Sequence, residues 1–153
     1  MNDTHGHAVG DAVLRKLTKE IAKCLRRETD WCARLGGDEF AVVLEGTKIS
    51  EARICAEKVR QAIEAAGVDT PAGSIRFTVS IGAAGCGEGV GRNAVTMQSL
   101  VEQADANLYT SKANGRNCVT PNLGDVSASA RNLGRHIQWT NHDNPKIAIS
   151  SVR

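Results

Sequence analysis

An α+β fold, in which an antiparallel sheet is covered by helices, follows from three features of the sequence. Periodicities of 3.6 and 2 succeed one another in the order helix, strand, strand, helix, strand, helix, strand. Two short apolar runs, residues 31–35 and 40–44, flank Gly36-Gly37-Asp38-Glu39, which is the spacing of a β-hairpin with the Gly pair as its turn. Finally, 153 residues with 41% hydrophobic side chains make one domain whose core needs no disulfide or structural metal.

Each element has its own signal. From Gly10 to Arg27 the residues Val13, Leu17, Ile21 and Leu25 recur every four positions with charges opposite, an amphipathic helix with Asp11 in its first turn. Ser50 is the expected N-cap of a second helix that buries Ala52, Cys55, Ala56, Val59 and Ile63 and fades at Ala65-Ala66-Gly67. Ile75 to Ile81 alternates apolar and polar residues as a half-buried strand does, and the glycine-rich stretch from Gly82 to Gly91 reads as a loop. A third helix over Met97 to Lys112 turns Leu100, Ala104 and Leu108 inward, Asn114-Gly115 stops it, and Cys118-Val119 opens a last short strand. This order places the helices on one side of the sheet and leaves the first helix without a preceding strand. Beyond Thr120 the composition shifts to Asn, Ser, Gly and Arg, so residues 1–120 form the domain and 121–153 a tail, linker-like over 121–145.

Composition excludes several classes. A net charge of +2 with 3% aromatic residues supplies neither the basic stripe nor the stacking platform of a nucleic-acid binder. No run approaches the roughly 18 apolar residues of a membrane span, and Met1-Asn2-Asp3-Thr4-His5 is too polar for a signal peptide, so a cytoplasmic location is expected. Five cysteines without a Cys-x-x-Cys pair read as reduced, mostly core thiols. His5 and His7 lack suitably spaced acidic or Cys partners for a metal site.

The chemistry concentrates at Gly36-Gly37-Asp38-Glu39-Phe40, where adjacent carboxylates sit on a turn kept free of bulk by glycine. Such a pair can hold Mg²⁺ by one oxygen each and leave the remaining octahedral positions to water and phosphates. Taken alone, the pentapeptide is equally a polar hairpin turn. Its context includes Asn2-Asp3-Thr4-His5-Gly6-His7-Ala8-Val9-Gly10-Asp11, Arg34-Leu35-Gly36-Gly37-Asp38-Glu39-Phe40, Val79-Ser80-Ile81-Gly82, and the segment from Ala104 to Asn117. In that order, over residues 2–119, these motifs closely resemble the GGDEF family of diguanylate cyclases.

The resemblance implies a nucleotide-cyclase or ferredoxin-like core and an enzyme that condenses two GTP into cyclic di-GMP as a homodimer, with Mg²⁺ or Mn²⁺ as cofactor. By the same resemblance Asn2 and Asp11 read guanine, Asp38 binds the metal, Glu39 is the adjacent essential acid, and Gly36 and Gly37 let the nucleotide lie on the turn. Lys112 and Arg116, spaced i, i+4 across the helix end, match the phosphate-binding cations; helix-terminal cations complementing the dipole are the plain alternative. Arg27 and Asp30 match an Arg-x-x-Asp inhibitory site for product, with Lys58 where an Arg often assists. Asp11 can also be read simply as a charge at a helix N-terminus.

In the family a central strand carrying a further metal-binding Asp, and a Phe-Lys turn that cradles phosphates, precede the position of Asn2. The chain as given begins after both, so it is expected to turn over weakly or not at all, and a non-catalytic cyclic di-GMP receptor or a degenerate remnant are the alternatives. The run Lys146-Ile147-Ala148-Ile149-Ser150-Ser151-Val152 is a candidate to pair into the vacated sheet position, in its own chain or swapped with a partner; a disordered tail is the other reading.

Overall fold

A computed structural model of the chain describes residues 7–70, 73–85, 96–121 and 146–152. The elements are α1 (His7–Cys24), β1 (Trp31–Gly36), β2 (Glu39–Leu44), α2 (Ile49–Ala65), β3 (Gly67–Thr70), β4 (Gly73–Arg76), β5 (Val79–Gly85), α3 (Met97–Ala113), β6 (Val119–Pro121) and β7 (Lys146–Val152). Five strands make one sheet in the order β1-β2-β7-β5-β6, antiparallel except for the β5–β6 pair. The fold is therefore α+β around a mainly antiparallel sheet.

Helices cover both faces of that sheet, not one. Along β2, Phe40, Val42 and Leu44 join Val13, Leu17 and Ile21 of α1 and Ala52, Ala56, Val59 and Ile63 of α2 in one core. Val43 turns the other way, into a second core with Ala84 of β5 and Leu100, Ala104 and Leu108 of α3. The physical cause is legible in Phe40-Ala41-Val42-Val43-Leu44, a continuous apolar run, whereas a half-solvated strand would alternate.

Four local expectations need correction. Helix α1 starts at His7, so Asp11 lies in its second turn and not its first, and it ends at Cys24, three residues before Arg27, because the Asp30 carboxylate takes the Arg26 N–H at 2.9 Å and the Asp30 N–H turns back to the Arg26 carbonyl at 3.0 Å. The N-cap of α2 is Lys48, not Ser50; the Glu51 carboxylate accepts the Lys48 N–H at 3.1 Å and so sets the start two residues earlier. The run 75–81 is split: β4 pairs with β3 in a separate two-stranded sheet, and Phe77, only 2% exposed, anchors the break before β5. Residues Gly82 to Gly85 belong to β5 and are buried, while 86–91 fall outside the described residues. Gly82 is there because α3 presses its backbone on the strand: a Cβ at that position would lie 2.1 Å from the Ala104 carbonyl oxygen.

The central strand of the sheet comes from the far end of the chain. β7 pairs with β2 from Glu39↔Ser151 to Leu44↔Lys146, and with β5 from Val79↔Val152 to Gly85↔Lys146. Among the described residues no helix is long and apolar enough to cross a membrane.

Candidate functional site

The hairpin tip is a two-residue turn made by Gly37 and Asp38, since Gly36 is the last residue of β1 and Glu39 the first of β2; the Gly pair is thus not itself the turn. Gly37 has φ +52°, the left-handed conformation in which glycine is the least strained residue. Chain neighbours aside, no atom of the described residues lies within 4 Å of a Cβ built on Gly36 or Gly37, so among them the space over the turn is open to an incoming group. Arg34 braces the turn from below, its Nε and Nη2 donating to the Gly37 carbonyl at 3.0 and 2.7 Å. A register shift between Arg34 and Gly36 leaves Leu35 outward, 56% exposed. Asp38 and Glu39 are both exposed.

Sheet register gathers further residues at this end. Glu39 is level with Ser151 of β7 and, through it, with Ser80 of β5, while Ile81 pairs with Val119 of β6. The loop Asn114–Cys118, which carries Arg116, therefore meets the sheet at the same strand end as Asp38, three strand spacings or about 14 Å across from β2. Lys112 is in the last turn of α3, but Arg116 is not one helical turn beyond it, because the helix ends at Ala113. Gly115, Arg116 and Asn117 have φ of +96°, +64° and +47°. For Arg116 and Asn117 this conformation costs on the order of 1 kcal/mol each.

A cluster that the sequence reading did not single out holds the strained loop. Asn117 accepts from Arg60 Nη1 at 2.9 Å and donates to Glu64 at 2.6 Å, and Arg60 also binds Glu57 and Glu64, each at 2.8 Å. Hydrogen bonds donated to Glu57 first, then to Glu64, raise the Arg60 pKa, so the guanidinium is a permanent charge. The i, i+3 and i, i+4 spacings of Glu57, Arg60 and Glu64 were visible on α2; their reach to Asn117 was not.

Asp11 lies with Arg15, Lys19, Arg34, Phe40 and Asp69 around an open cleft of about 960 Å³ between α1, the hairpin and β3. With Lys16, the described lining carries four cations and two carboxylates, which favours an anionic occupant. The structure thus brings Asp11 and the hairpin to one cleft, joined to the Gly37-Asp38 turn through Arg34. Lys112 and Arg116 are not among the cleft's described residues, and Asn2 lies outside the described residues altogether.

Arg27 and Asp30 stand at the opposite end of the hairpin, before Trp31, which pairs with Val43. Arg27 is exposed; Asp30 is bound by Arg26, whose guanidinium also reaches the Glu45 carbonyl and Thr47. Cys24 and Cys55 lie nearby, the Cys55 thiol 3.7 Å from the Cys24 carbonyl, and burial pushes both thiols up, as it does Cys32. All four described cysteines are free. No group of three or more His, Cys, Asp or Glu is placed to hold a metal ion among the described residues. Asp38 and Glu39 therefore fit Mg²⁺ only in the manner usual for that ion, as one or two carboxylates completed by waters and substrate phosphates.

Adjacent carboxylates on an open hairpin turn, at one end of a helix-covered, mainly antiparallel sheet and beside a cationic cleft, define the α+β domain by its site. The chain belongs to the GGDEF domain family of diguanylate cyclases, whose family model matches residues 1–118. It is 42% identical over 120 residues to diguanylate cyclase A of Treponema denticola, covering 78% of this chain and 31% of that protein. It is 36% identical over 122 residues to the response regulator PleD of Caulobacter vibrioides, covering 78% of this chain and 26% of that protein. The chain thus spans about a third or less of the length of these curated relatives. Among solved structures it resembles the diguanylate cyclase SiaD of Pseudomonas aeruginosa (TM-score 0.70, 31% identity, 79% of this chain and 44% of that one). It also resembles the GGDEF domain of DgcB from Caulobacter crescentus, solved with c-di-GMP (TM-score 0.69, 32% identity, 78% and 68%). The family match ends before β6, so β7 lies outside it.

Proposed function

We propose that residues 1–120 are a GTP-binding diguanylate cyclase domain, working as a homodimer in the cytoplasm, and that residues 121–153 are an appended tail whose strand completes the sheet. The observation that carries this reading is the cationic cleft shared by Asp11 and the hairpin, coupled through Arg34 to the turn that bears Asp38 and Glu39. A carboxylate at Asp11 can accept both the ring N–H and the exocyclic amine of guanine, a donor pair that adenine does not present. Asn2 serves as the second guanine reader, and Gly36 and Gly37 admit the nucleotide over the turn. Lys112, in the last turn of α3, and Arg116, at the same end of the sheet as Asp38, hold phosphate. Asp38 and Glu39 would hold Mg²⁺ or Mn²⁺, which when bound offsets phosphate charge.

Two domains facing each other place the 3′-oxygen of one GTP in line with the α-phosphorus of the other. Each attack forms a 3′–5′ phosphodiester bond, breaks the α–β phosphoanhydride and releases pyrophosphate, while the hydroxyl proton goes to solvent. Calorimetric titration of the full chain with GTP and ATP in Mg²⁺, beside chromatography of the products, tests the reading. GTP is expected to bind and ATP not; Asp11→Ala should weaken GTP binding by about tenfold or more, the value of a charge-assisted donor pair. Equal binding of ATP, or unchanged GTP affinity in Asp11→Ala, would refute it.

A further inference from the structure

Asp30 is not an open carboxylate waiting for a ligand. Its side chain is 4% exposed, and Arg26 takes both oxygens, with the Thr29 hydroxyl adding a bond to Oδ1 at 3.3 Å. Arg26 Nη2 donates to Oδ1 at 2.7 Å and Arg26 Nε to Oδ2 at 3.1 Å, while the Arg26 backbone N–H adds a bond to Oδ2 at 2.9 Å. The same Nη2 reaches the Glu45 carbonyl at 2.5 Å and Thr47 Oγ1 at 2.6 Å, tying the α1–β1 loop to the segment after β2. Burial pushes the Asp30 carboxyl up, but the donations from Arg26 outweigh it and hold the group below the ordinary carboxylate value, ionised at neutral pH.

Two parallel N–H donors on one carboxylate form the pairing that a guanine edge also offers, through its ring N–H and exocyclic amine. We propose that Arg26 is an internal stand-in for guanine on Asp30, and that cyclic di-GMP occupies the Arg27–Asp30 site by displacing it. The inference rests on the reading of Arg27 and Asp30 as a product-binding pair. Three features favour exchange. The Arg26 side chain is 55% exposed, so the guanidinium regains water as it swings away and the incoming donor pair takes over the carboxylate it leaves. It belongs to a loop residue outside both α1 and β1, so its departure breaks no helix or ladder bond. Arg27, exposed on the same turn, stays available to fork onto phosphate or the second guanine. Affinity for the dinucleotide is then the site's intrinsic affinity reduced by the closed fraction.

Calorimetric titration of the full chain with cyclic di-GMP tests this, with wild type, Arg26→Ala, Arg26→Lys and Arg27→Ala compared. Arg26→Ala should bind about fivefold tighter or more, the scale of a forked, charge-assisted hydrogen bond on a buried carboxylate removed from competition. Arg26→Lys keeps the charge but cannot fork, and should gain less; it also serves if circular dichroism shows Arg26→Ala unfolded. Arg27→Ala should lose most binding. If the Arg26 variants bind as wild type does or more weakly while Arg27→Ala still loses binding, the lock is wrong and the site stands. If neither wild type nor any Arg26 variant binds, the site itself is wrong and the lock falls with it.

Discussion

A methyl group on Gly82 would sit 2.1 Å from the Ala104 carbonyl oxygen and 2.2 Å from the Leu108 nitrogen, both backbone atoms of a helix that cannot step aside alone. Gly82→Ala should therefore cost about 3 kcal/mol, the upper range for overpacking, read from the midpoint of urea denaturation. Gly36→Ala is the control, because, chain neighbours aside, no atom of the described residues lies within 4 Å of its Cβ; a loss there equal to that at Gly82 would show that the contact with α3 is not the cause. The contrast also marks what the residue scale of a sequence conceals. Glycine is the usual sign of a turn, which led to the hairpin tip but took Gly36-Gly37 in place of Gly37-Asp38 as its turn, and mistook the buried Gly82–Gly85 end of β5 for a loop. What Gly82 requires is set by a helix more than 20 residues later, with no local trace.

Elements were legible where one face met solvent and the other the core, as in α1, α2 and α3, whose inward residues match those read from periodicity. Their ends were less so, because side-chain bonds such as Arg26 to Asp30 and Glu51 to Lys48 decide where a helix starts or stops. Strand β3 escaped notice because Gly67-Val68-Asp69-Thr70 is short and carries one buried apolar residue. At the site, the carboxylates and Asp11 were legible as types and spacings, whereas the left-handed path through Arg116 and its anchor on α2 were not. That anchor yields a prediction. In Arg60→Ala the Asn117 carbonyl oxygen of the side chain and the two glutamates lose their shared donor, so the loop 114–118 should relax toward right-handed backbone angles. Amide hydrogen exchange at residues 115–118 is expected to speed up well before the rest of the sheet does. Protection unchanged from wild type would mean that the loop holds its strained form without Arg60.

At the scale of the whole molecule, the sheet is one body only because β7 lies between the hairpin and β5. Its backbone pairs with six residues of β2 and seven of β5, and among the described residues no other strand links those two halves. Removing it would leave two facing rows of unpaired N–H and C=O groups in the centre of the fold, where each buried unpaired group costs about 1–3 kcal/mol. It would also uncover strand β2, whose residues Phe40 to Leu44 are all buried, as an edge prone to pair with other chains. Deleting residues 146–153 should thus lower the melting temperature by more than about 10 °C, or abolish cooperative unfolding, since several kcal/mol shift a chain of this size by that much. Ala148→Pro asks the same question with one residue. Ala148 is opposite both Val42 and Ala83, and a proline there removes an interior N–H that an edge position could spare. It should reproduce most of the loss caused by the deletion. If both variants melt where the wild type does, β7 carries no weight in the fold, and the hairpin must be held against β5 by its contacts with α1, α2 and α3 alone.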